Sequence, residues 1–286
     1  MVELSIIIAT KDRPERLKKC LDKVSVQTKK PHEIVIIDGS SKPFAGIKTL
    51  SKKMKIVYKN KKSSMVEARN IGIGHAAGNI ILFLDDDSFI EKHYIENILK
   101  FYDTHPEAGG AEGNIVNEKG SKILARLLNF PRFPRRNDVM CLRSLHGCNM
   151  SFRKEVFKDF MFDENLIGYY NDDDEFCGRV SKKYKLFFVP SARLIHYQTQ
   201  YGGARIDHYT NYNTLVFNQF YTLWKLPDKN VFDVLGYMFS QAVMIMRAFI
   251  FVREGRHMAI KGILRGYRRV VSAIIDGNVQ DRIRSL

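Results

Sequence analysis

The stretch Ile80-Ile-Leu-Phe-Leu-Asp-Asp-Asp-Ser88 constrains this chain more than any other. Five consecutive apolar residues are too few for an ordinary helix. They suit a strand buried on both faces, as in a parallel sheet covered by helices. The strand runs directly into Asp85, Asp86 and Asp87. Side chains alternate along an extended chain, so Asp85 and Asp87 are expected on one side and Asp86 on the other. Two carboxylates so spaced suit a hard divalent cation, Mg²⁺ or Mn²⁺, which keeps its other positions for water and phosphate oxygens. The competing reading is an acidic cap on a following helix, with Asp87 or Ser88 as N-cap before Glu91.

Upstream, the same grammar repeats. Leu4 to Ala9 is a second buried-strand run ending at Thr10, and Pro14 then suits the first turn of a helix. Asp12 and Glu15 fit a capping box, and Leu17, Leu21 and Val24 supply an apolar helical face. A strand from Glu33 to Ile37 runs into Asp38-Gly39-Ser40-Ser41. A helix around Gly46 to Lys53, a strand from Lys55 to Tyr58 and a helix from Met65 to Ala77 closed by Gly78 complete the run. This alternation predicts an α/β fold with right-handed crossovers, whose ligands lie beyond the carboxyl ends of the strands. Thr10, Asp12, Asp38 and Asp85 to Asp87 all fall at such ends. In a chain of net charge +15, acids gathered there repel one another unless a cation or ligand hydroxyls hold them. The alternative is three unrelated helix caps.

Downstream the pattern changes. A helix from Glu91 to Asp103 and a strand from Ala111 to Asn117 precede an irregular basic stretch, Lys119 to Arg143. Its Phe130-Pro-Arg-Phe-Pro-Arg-Arg136 segment forbids a regular element and reads as a surface loop, either able to order over a substrate or simply solvated. His146 to Phe152 follows, then a helix from Arg153. The acids Asp172 to Glu175 open a further helix, whose dipole favours them. A carboxylate crowded by like charges can also serve as a general base near neutrality. Phe187 to Pro190 and Ala192 to His196 predict a strand; His196 becomes a metal ligand only if the fold brings it to Asp87.

At 286 residues, 45% hydrophobic and 27% charged, the chain suits one large domain or one domain with an appendage. The basic excess implies an anionic partner: nucleic acid, anionic lipid or a phosphorylated substrate. Cys20, Cys141, Cys148 and Cys177 show neither CxxC pairing nor a His at zinc spacing, so reduced thiols are expected. With Met1 leading directly into a strand, the reading is a cytosolic protein. Past residue 200 the character shifts. Thr214 to Leu226 is apolar and aromatic, and Val231 to Val252 is apolar apart from Asp233 and Arg247. Its uncharged core, Val234 to Met246, is 13 residues, too short to span a bilayer alone. From Arg247 onward nine Lys/Arg stand against three Asp/Glu. An apolar helix followed by a basic one fits an anionic membrane interface, or else packing on the catalytic domain or a second subunit.

In order and spacing, several segments together resemble family 2 of the glycosyltransferases, inverting enzymes of the GT-A fold. They are Ser5-Ile-Ile-Ile-Ala-Thr10, Ile36-Ile-Asp38-Gly-Ser40, Ala68-Arg-Asn70-Ile-Gly72, Phe83-Leu-Asp-Asp-Asp87, Gly147-Cys-Asn149-Met-Ser-Phe-Arg153 and Asp172-Asp-Asp-Glu-Phe-Cys-Gly-Arg179. The resemblance covers residues 3 to 200. It implies a Rossmann-like, mostly parallel sheet flanked by helices over residues 1–203. Beyond it, the apolar-then-basic pattern reads as a helical, membrane-associating extension over 204–286. The resemblance places Thr10, Asp12, Arg13 and Asp38 around the nucleotide, Arg69 and Asn70 at the nucleotide or its diphosphate, and Gly147 and Asn149 beside the sugar and acceptor. It sets Asp85 nearer the ribose and Asp87 as the metal ligand. Asp86 joins the donor-binding set, and Asp85 and His196 are the further metal candidates, His196 only if it reaches Asp87. Asp173 is the implied base. Asp172 stands where the family usually has Glu, and Asp174 extends the acidic run, so the base is Asp173 or its neighbour Asp172.

The resemblance thus implies a Mg²⁺- or Mn²⁺-dependent glycosyltransferase taking a nucleotide-sugar donor and a glycan or lipid-linked acceptor, peripheral on the cytosolic face of the cell membrane. Oligomers through the C-terminal helices fit the same pattern. Two rivals remain at this stage. A sugar-phosphate nucleotidyltransferase of similar fold calls for a Gly-rich, Arg/Lys-bearing loop after the first strand, which the sequence lacks. A nucleic-acid-binding protein is suggested by charge alone, with no recognised motif, and nucleic acid is not an expected partner.

Overall fold

The computed structural model describes residues 2–52, 54–116, 139–142, 144–166, 171–197, 207–225, 229–250, 252 and 254–275. The proline-bearing basic stretch Phe130 to Arg136 lies outside them. The chain divides into two compact units: Met1–Phe162 with Phe176–Gly203, and Asp163–Glu175 with Ala204–Leu286.

The first unit is built on a nine-stranded sheet. Strands β1 (Leu4–Thr10), β2 (Glu33–Asp38), β3 (Ile56–Asn60) and β4 (Ile80–Phe83) are parallel, in the order β3-β2-β1-β4. All six residues of β2 are buried, which explains a run of aliphatics without alternation. Beyond β4 the sheet becomes mixed. β8 (Met150–Arg153) runs antiparallel between β4 and β6 (Ala108–Ile115), and β9 (Lys185–His196) is parallel to β6. The short strands β5 (Ser88–Ile90) and β7 (Met140–Leu142) pair antiparallel with β9. Around Pro190 the register of β9 on β6 shifts within one strand, where proline offers no N–H to the ladder.

Helices cover both faces. Leu17, Leu21 and Val24 of α1 (Pro14–Ser25) and Ile95, Ile98 and Tyr102 of α4 (Tyr94–Thr104) join Ile6, Ile8, Ile34, Ile36 and Leu82 in one core. On α3 (Met65–His75), Gly72 meets Ile7: a Cβ there would stand 2.5 Å from Ile7 Cγ2. The short α2 (Ile47–Leu50) lies between β2 and β3 in sequence. Arg153, expected to open a helix, instead ends β8, and the short α5 (Val156–Asp159) follows. Phe83 packs edge-on against Phe152, Phe157 and Phe162, and Phe176 stacks on Phe162 at 4.1 Å between ring centres.

Two local expectations fail. Asp12 does not cap α1: Arg13 is the N-cap, no side chain bonds there, and Pro14 supplies the first turn. Asp12 instead takes a left-handed backbone (φ 54°) and donates its N–H to Ser40 Oγ at 2.6 Å. A capping box does form, at Ser64 and Glu67 ahead of α3. Gly78 is not a left-handed helix cap either; α3 ends earlier, and Gly78 is required because a Cβ would lie 2.8 Å from Ser5 N and 2.9 Å from Glu3 O.

The helix α6 (Asp172–Val180) is continuous, with residues 172–175 grouped in the second unit. The second unit otherwise consists of α7 (His208–Lys225), α8 (Val231–Ile250) and α9 (Arg256–Ile275). Gly262 and Gly266 let α9 press on α7. A Cβ on Gly262 would stand 2.3 Å from Tyr209 O, and one on Gly266 2.7 Å from Val216 Cβ. Gln241 of α8 is buried and accepts from Tyr267 Oη at 2.8 Å. Much of α8 is otherwise uncovered, with Phe232 78%, Leu235 53%, Phe239 68% and Phe249 51% exposed along one face.

Candidate active site

The three acids after β4 do not continue the strand. They occupy a turn, with Asp85 N donating to Cys148 O at 3.3 Å and Ser88 N to Asp85 O at 3.0 Å before β5 begins. Ser88 therefore opens a strand, not a helix. The separation of side chains survives by another route. Asp86 is buried and accepts from Thr10 Oγ1 at 2.6 Å and Arg13 Nη1 at 3.1 Å. Asp85 and Asp87 gather instead with His196, each offering a ligand atom, and these atoms lie within 4.8 Å of one another. β5 and β9 bring this about: Ser88 pairs with His196, Asp87 O accepts from Tyr197 N, and His196 Nε2 stands 3.0 Å from Asp87 Oδ1. Arg13 Nη1 approaches the other oxygen, Oδ2, at 3.6 Å.

Burial governs the charges here. It pushes Asp86 up to about 6, against the Thr10 hydrogen bond and the Arg13 charge. It also raises Asp85, although Arg69 and His196 oppose it. Burial disfavours the charged form of His196, yet hydrogen bonds to Asp87 and Cys148 and the field of Asp85 outweigh it, to about 11. The buried Cys20 and Cys148 thiols are both raised, chiefly by burial. All four cysteines are free thiols. Two clustered carboxylates and an imidazole, oxygen-rich and drawing positive charge, fit a divalent ion such as Mg²⁺ or Mn²⁺.

Around this centre, most of the other donor-binding candidates are held by neighbours. Asp38, buried at the end of β2, accepts from Ser40 N at 2.9 Å, Phe44 N at 3.3 Å and Tyr58 Oη at 2.5 Å, which folds the 38–44 loop around it. Arg69 is buried beneath the rings of Phe83 and Phe162 and donates to Gly147 O at 3.3 Å. A Cβ on Gly147 would stand 2.8 Å from Arg69 Nη2, so glycine is what admits the guanidinium. Asn70 exchanges hydrogen bonds with the backbone of Phe162, 3.0 Å out and 3.1 Å back. Asn149 is fully buried and pairs with Gly113, accepting at 2.9 Å and donating at 3.4 Å. His146 is tied to the buried Glu112, donating its N–H at 2.5 Å with Nδ1 at 2.8 Å. Sequence reading did not single out Glu112, and took Cys20 and Cys148 only as reduced thiols; their place beside the site comes from β6, from helix α1 and from the turn before β8.

Asp172 and Asp173 lie on the first turn of α6, within the second unit. Asn171 precedes them in a left-handed conformation (φ 69°), and its carbonyl accepts from Glu175 N at 3.0 Å. Asp172 is buried; Asp173 is half-buried and accepts from Asp174 N at 2.9 Å.

The sequence profile of glycosyl transferase family 2 matches residues 5–161, which hold β1 through β8 and the acidic turn. The chain belongs to that family. It is a glycosyltransferase, and its relatives agree. An uncharacterized glycosyltransferase of Bacillus subtilis, YwdF, is 26% identical over 80% of this chain and 88% of its own length. The glucosyl-dolichyl phosphate glucuronosyltransferase of Haloferax volcanii is 22% identical over 82% of this chain and 78% of its own. Staphylococcus aureus TarS residues 1–349, in complex with UDP-GlcNAc, superpose with a TM-score of 0.61 at 15% identity, over 97% of this chain and 93% of TarS. The mannosyltransferase PcManGT of Pyrobaculum calidifontis, in complex with GDP-Man and Mn²⁺, gives 0.61 at 14% identity, over 96% and 75%. At such identities the structures establish the shared GT-A fold.

Proposed function

We propose that this glycosyltransferase moves a sugar from a nucleoside-diphosphate donor to an acceptor hydroxyl with inversion, using Mg²⁺ or Mn²⁺ held by Asp85, Asp87 and His196. The observation that carries this reading is the convergence of those three donors beyond the carboxyl end of β4. A divalent ion bound there supplies Lewis-acid neutralisation of the diphosphate leaving group. The chain's own residues do the rest. Thr10, Asp12, Arg13 and Asp38 frame the nucleotide, with Asp38 and Asp86 shaping loops through the hydrogen bonds described above. Arg69 and Asn70 stand at the nucleotide or its diphosphate, and Gly147 and Asn149 beside the sugar and acceptor. Asp173, with Asp172 as its neighbour, is the base that takes the proton from the acceptor hydroxyl as it attacks, as inversion requires. Screening UDP-, GDP- and dTDP-sugars for binding with Mn²⁺ and with chelator tests this directly. One nucleotide class is expected to bind only with metal; binding indifferent to metal overturns the metal assignment.

The acceptor in this reading is a lipid-linked or cell-surface glycan precursor at the cytosolic membrane face. The glucuronosyltransferase relative, named for a dolichyl phosphate glycan, supports a lipid-linked substrate. Residues 204–286 then serve as the membrane-associating extension of a catalytic domain over 1–203. α8 is the one helix among the described residues long and apolar enough to cross a membrane, and only 17% of its most apolar window is buried. α9 follows with Arg256, Lys261, Arg265 and Arg268 exposed. That pairing suits a helix lying in the interface above anionic head groups.

A further inference from the structure

The second unit contains a polar hub that neither donor binding nor membrane attachment uses. It lies where α7 meets the start of α6. Lys225, the last residue of α7, places its ammonium 2.5 Å from Asp163 Oδ2 and 3.1 Å from Glu175 Oε1. The Asp163 and Glu175 side chains are only 8% and 3% exposed, so Lys225 neutralises two nearly buried carboxylates. Asp163 is fully engaged. Tyr221 Oη donates to Oδ2 at 2.9 Å, and the Asn165 backbone N–H and side-chain amide donate to Oδ1 at 3.0 Å and 2.9 Å. One turn earlier on α7, Thr222 Oγ1 accepts from Asn171 Nδ2 at 2.8 Å.

Thr222 and Lys225 are three residues apart and share one face of α7. Between them they hold both ends of a single turn: Asn171, whose left-handed backbone starts it, and Glu175, whose N–H closes it onto Asn171 O. Asp173 sits in the middle of that turn. Four consecutive acids at a helix start repel one another, and a left-handed Asn is a conformation that surroundings must enforce.

We propose that Lys225 and Thr222 are positioning residues for the general base, so that α7 belongs to the catalytic apparatus rather than to a membrane appendage alone. This rests on the reading of Asp173 as the base. Lys225 acts through its bond to Glu175, which fixes the pitch of the turn and hence the direction of the Asp173 carboxylate. Thr222 fixes the entry to the turn through Asn171.

The test uses the full-length enzyme in five forms: Lys225→Met, Lys225→Arg, Thr222→Val, Asp173→Asn and the double variant of Lys225→Met with Asp173→Asn. Lys225→Met should lower kcat on the order of 10-fold to 100-fold, the cost of misplacing a reacting group, with donor KM within about twofold of wild type. Lys225→Arg should restore most of kcat, and Thr222→Val, a milder change, should lower kcat less. In an Asp173→Asn background, Lys225→Met should have little further effect. Should Lys225→Met leave kcat unchanged while Asp173→Asn is inactive, the positioning role is wrong and the base stands. Turnover retained by Asp173→Asn overturns the base, and the positioning role with it. If Lys225→Met is unfolded, a normal kcat in Thr222→Val together with an unrescued Lys225→Arg defeats the proposal.

Discussion

His196 Nε2 and Asp87 Oδ1 stand 3.0 Å apart although 109 residues separate them in the chain. The antiparallel pairing of β5 with the end of β9 is the cause: it aligns Ser88 with His196, so the histidine arrives beside the acidic turn. A histidine at a strand end and an acid in a turn are each unremarkable. Together with Asp85 they make a donor set.

Asp87→Ala should abolish transfer and remove the Mn²⁺ dependence of donor binding, since it deletes the carboxylate that both His196 and Arg13 approach. His196→Ala should leave transfer measurable but raise the Mn²⁺ concentration needed for half-maximal rate. Isothermal titration with Mn²⁺ and a metal-dependent rate assay read both. Near-normal, metal-stimulated turnover in Asp87→Ala would falsify the assignment.

Asp173→Asn should keep donor binding nearly intact while lowering turnover on the order of 10²–10⁴-fold, the usual contribution of a general base. The two Asp neighbours divide cleanly in this assay. A large loss in Asp172→Asn with a small one in Asp173→Asn moves the base by one residue. An equal loss of donor affinity makes Asp173 a binding residue.

Glu33 tests electrostatics far from the chemistry. It is buried, and although burial opposes its charge, hydrogen bonds from Ala77 N, Ser5 Oγ and Lys55 hold its carboxyl below the ordinary 4.5. A carboxyl depressed in the folded state adds stability above its unfolded value, and that stability is lost as pH falls through the folded value. Glu33→Gln should therefore lower the melting temperature at pH 7. The wild-type and variant curves should converge below pH 4.5. Parallel curves at all pH values count against an ionised Glu33.

Membrane attachment is best probed by substitution, because α9 packs on α7 too closely for truncation to be neutral. Replacing Phe232, Phe239 and Phe249 by Ser removes exposed apolar area without touching the buried Gln241, Met244 and Ala248. The triple variant should lose its salt-resistant binding to anionic vesicles while keeping the salt-sensitive part. Each basic residue near the surface contributes about 1 kcal/mol, so that part should fade as salt rises. If the wild-type protein fails to float with vesicles at any salt, α8 is a protein-packing surface.

What the sequence determined by itself was whatever depends on neighbours along the chain. Runs of Ile, Val and Leu too short for helices mark β1, β2 and β4, and the strand–helix spacing between them leaves a parallel sheet as the way to bury both faces. The family was legible for the same reason: its motifs are short, local and ordered. Tertiary structure decided everything that depends on distant pairing. The mixed half of the sheet, the turn that carries Asp85 to Asp87 and the meeting of His196 with Asp87 all follow from β8 and β9 inserting between and beside earlier strands. The same holds for Asp38, Asn70 and Asn149, whose polar side chains bond backbone groups in the folded chain. A sequence shows that such a residue is polar; only the folded chain shows which buried N–H or C=O needs it, because an unpaired buried backbone group is costly wherever it occurs.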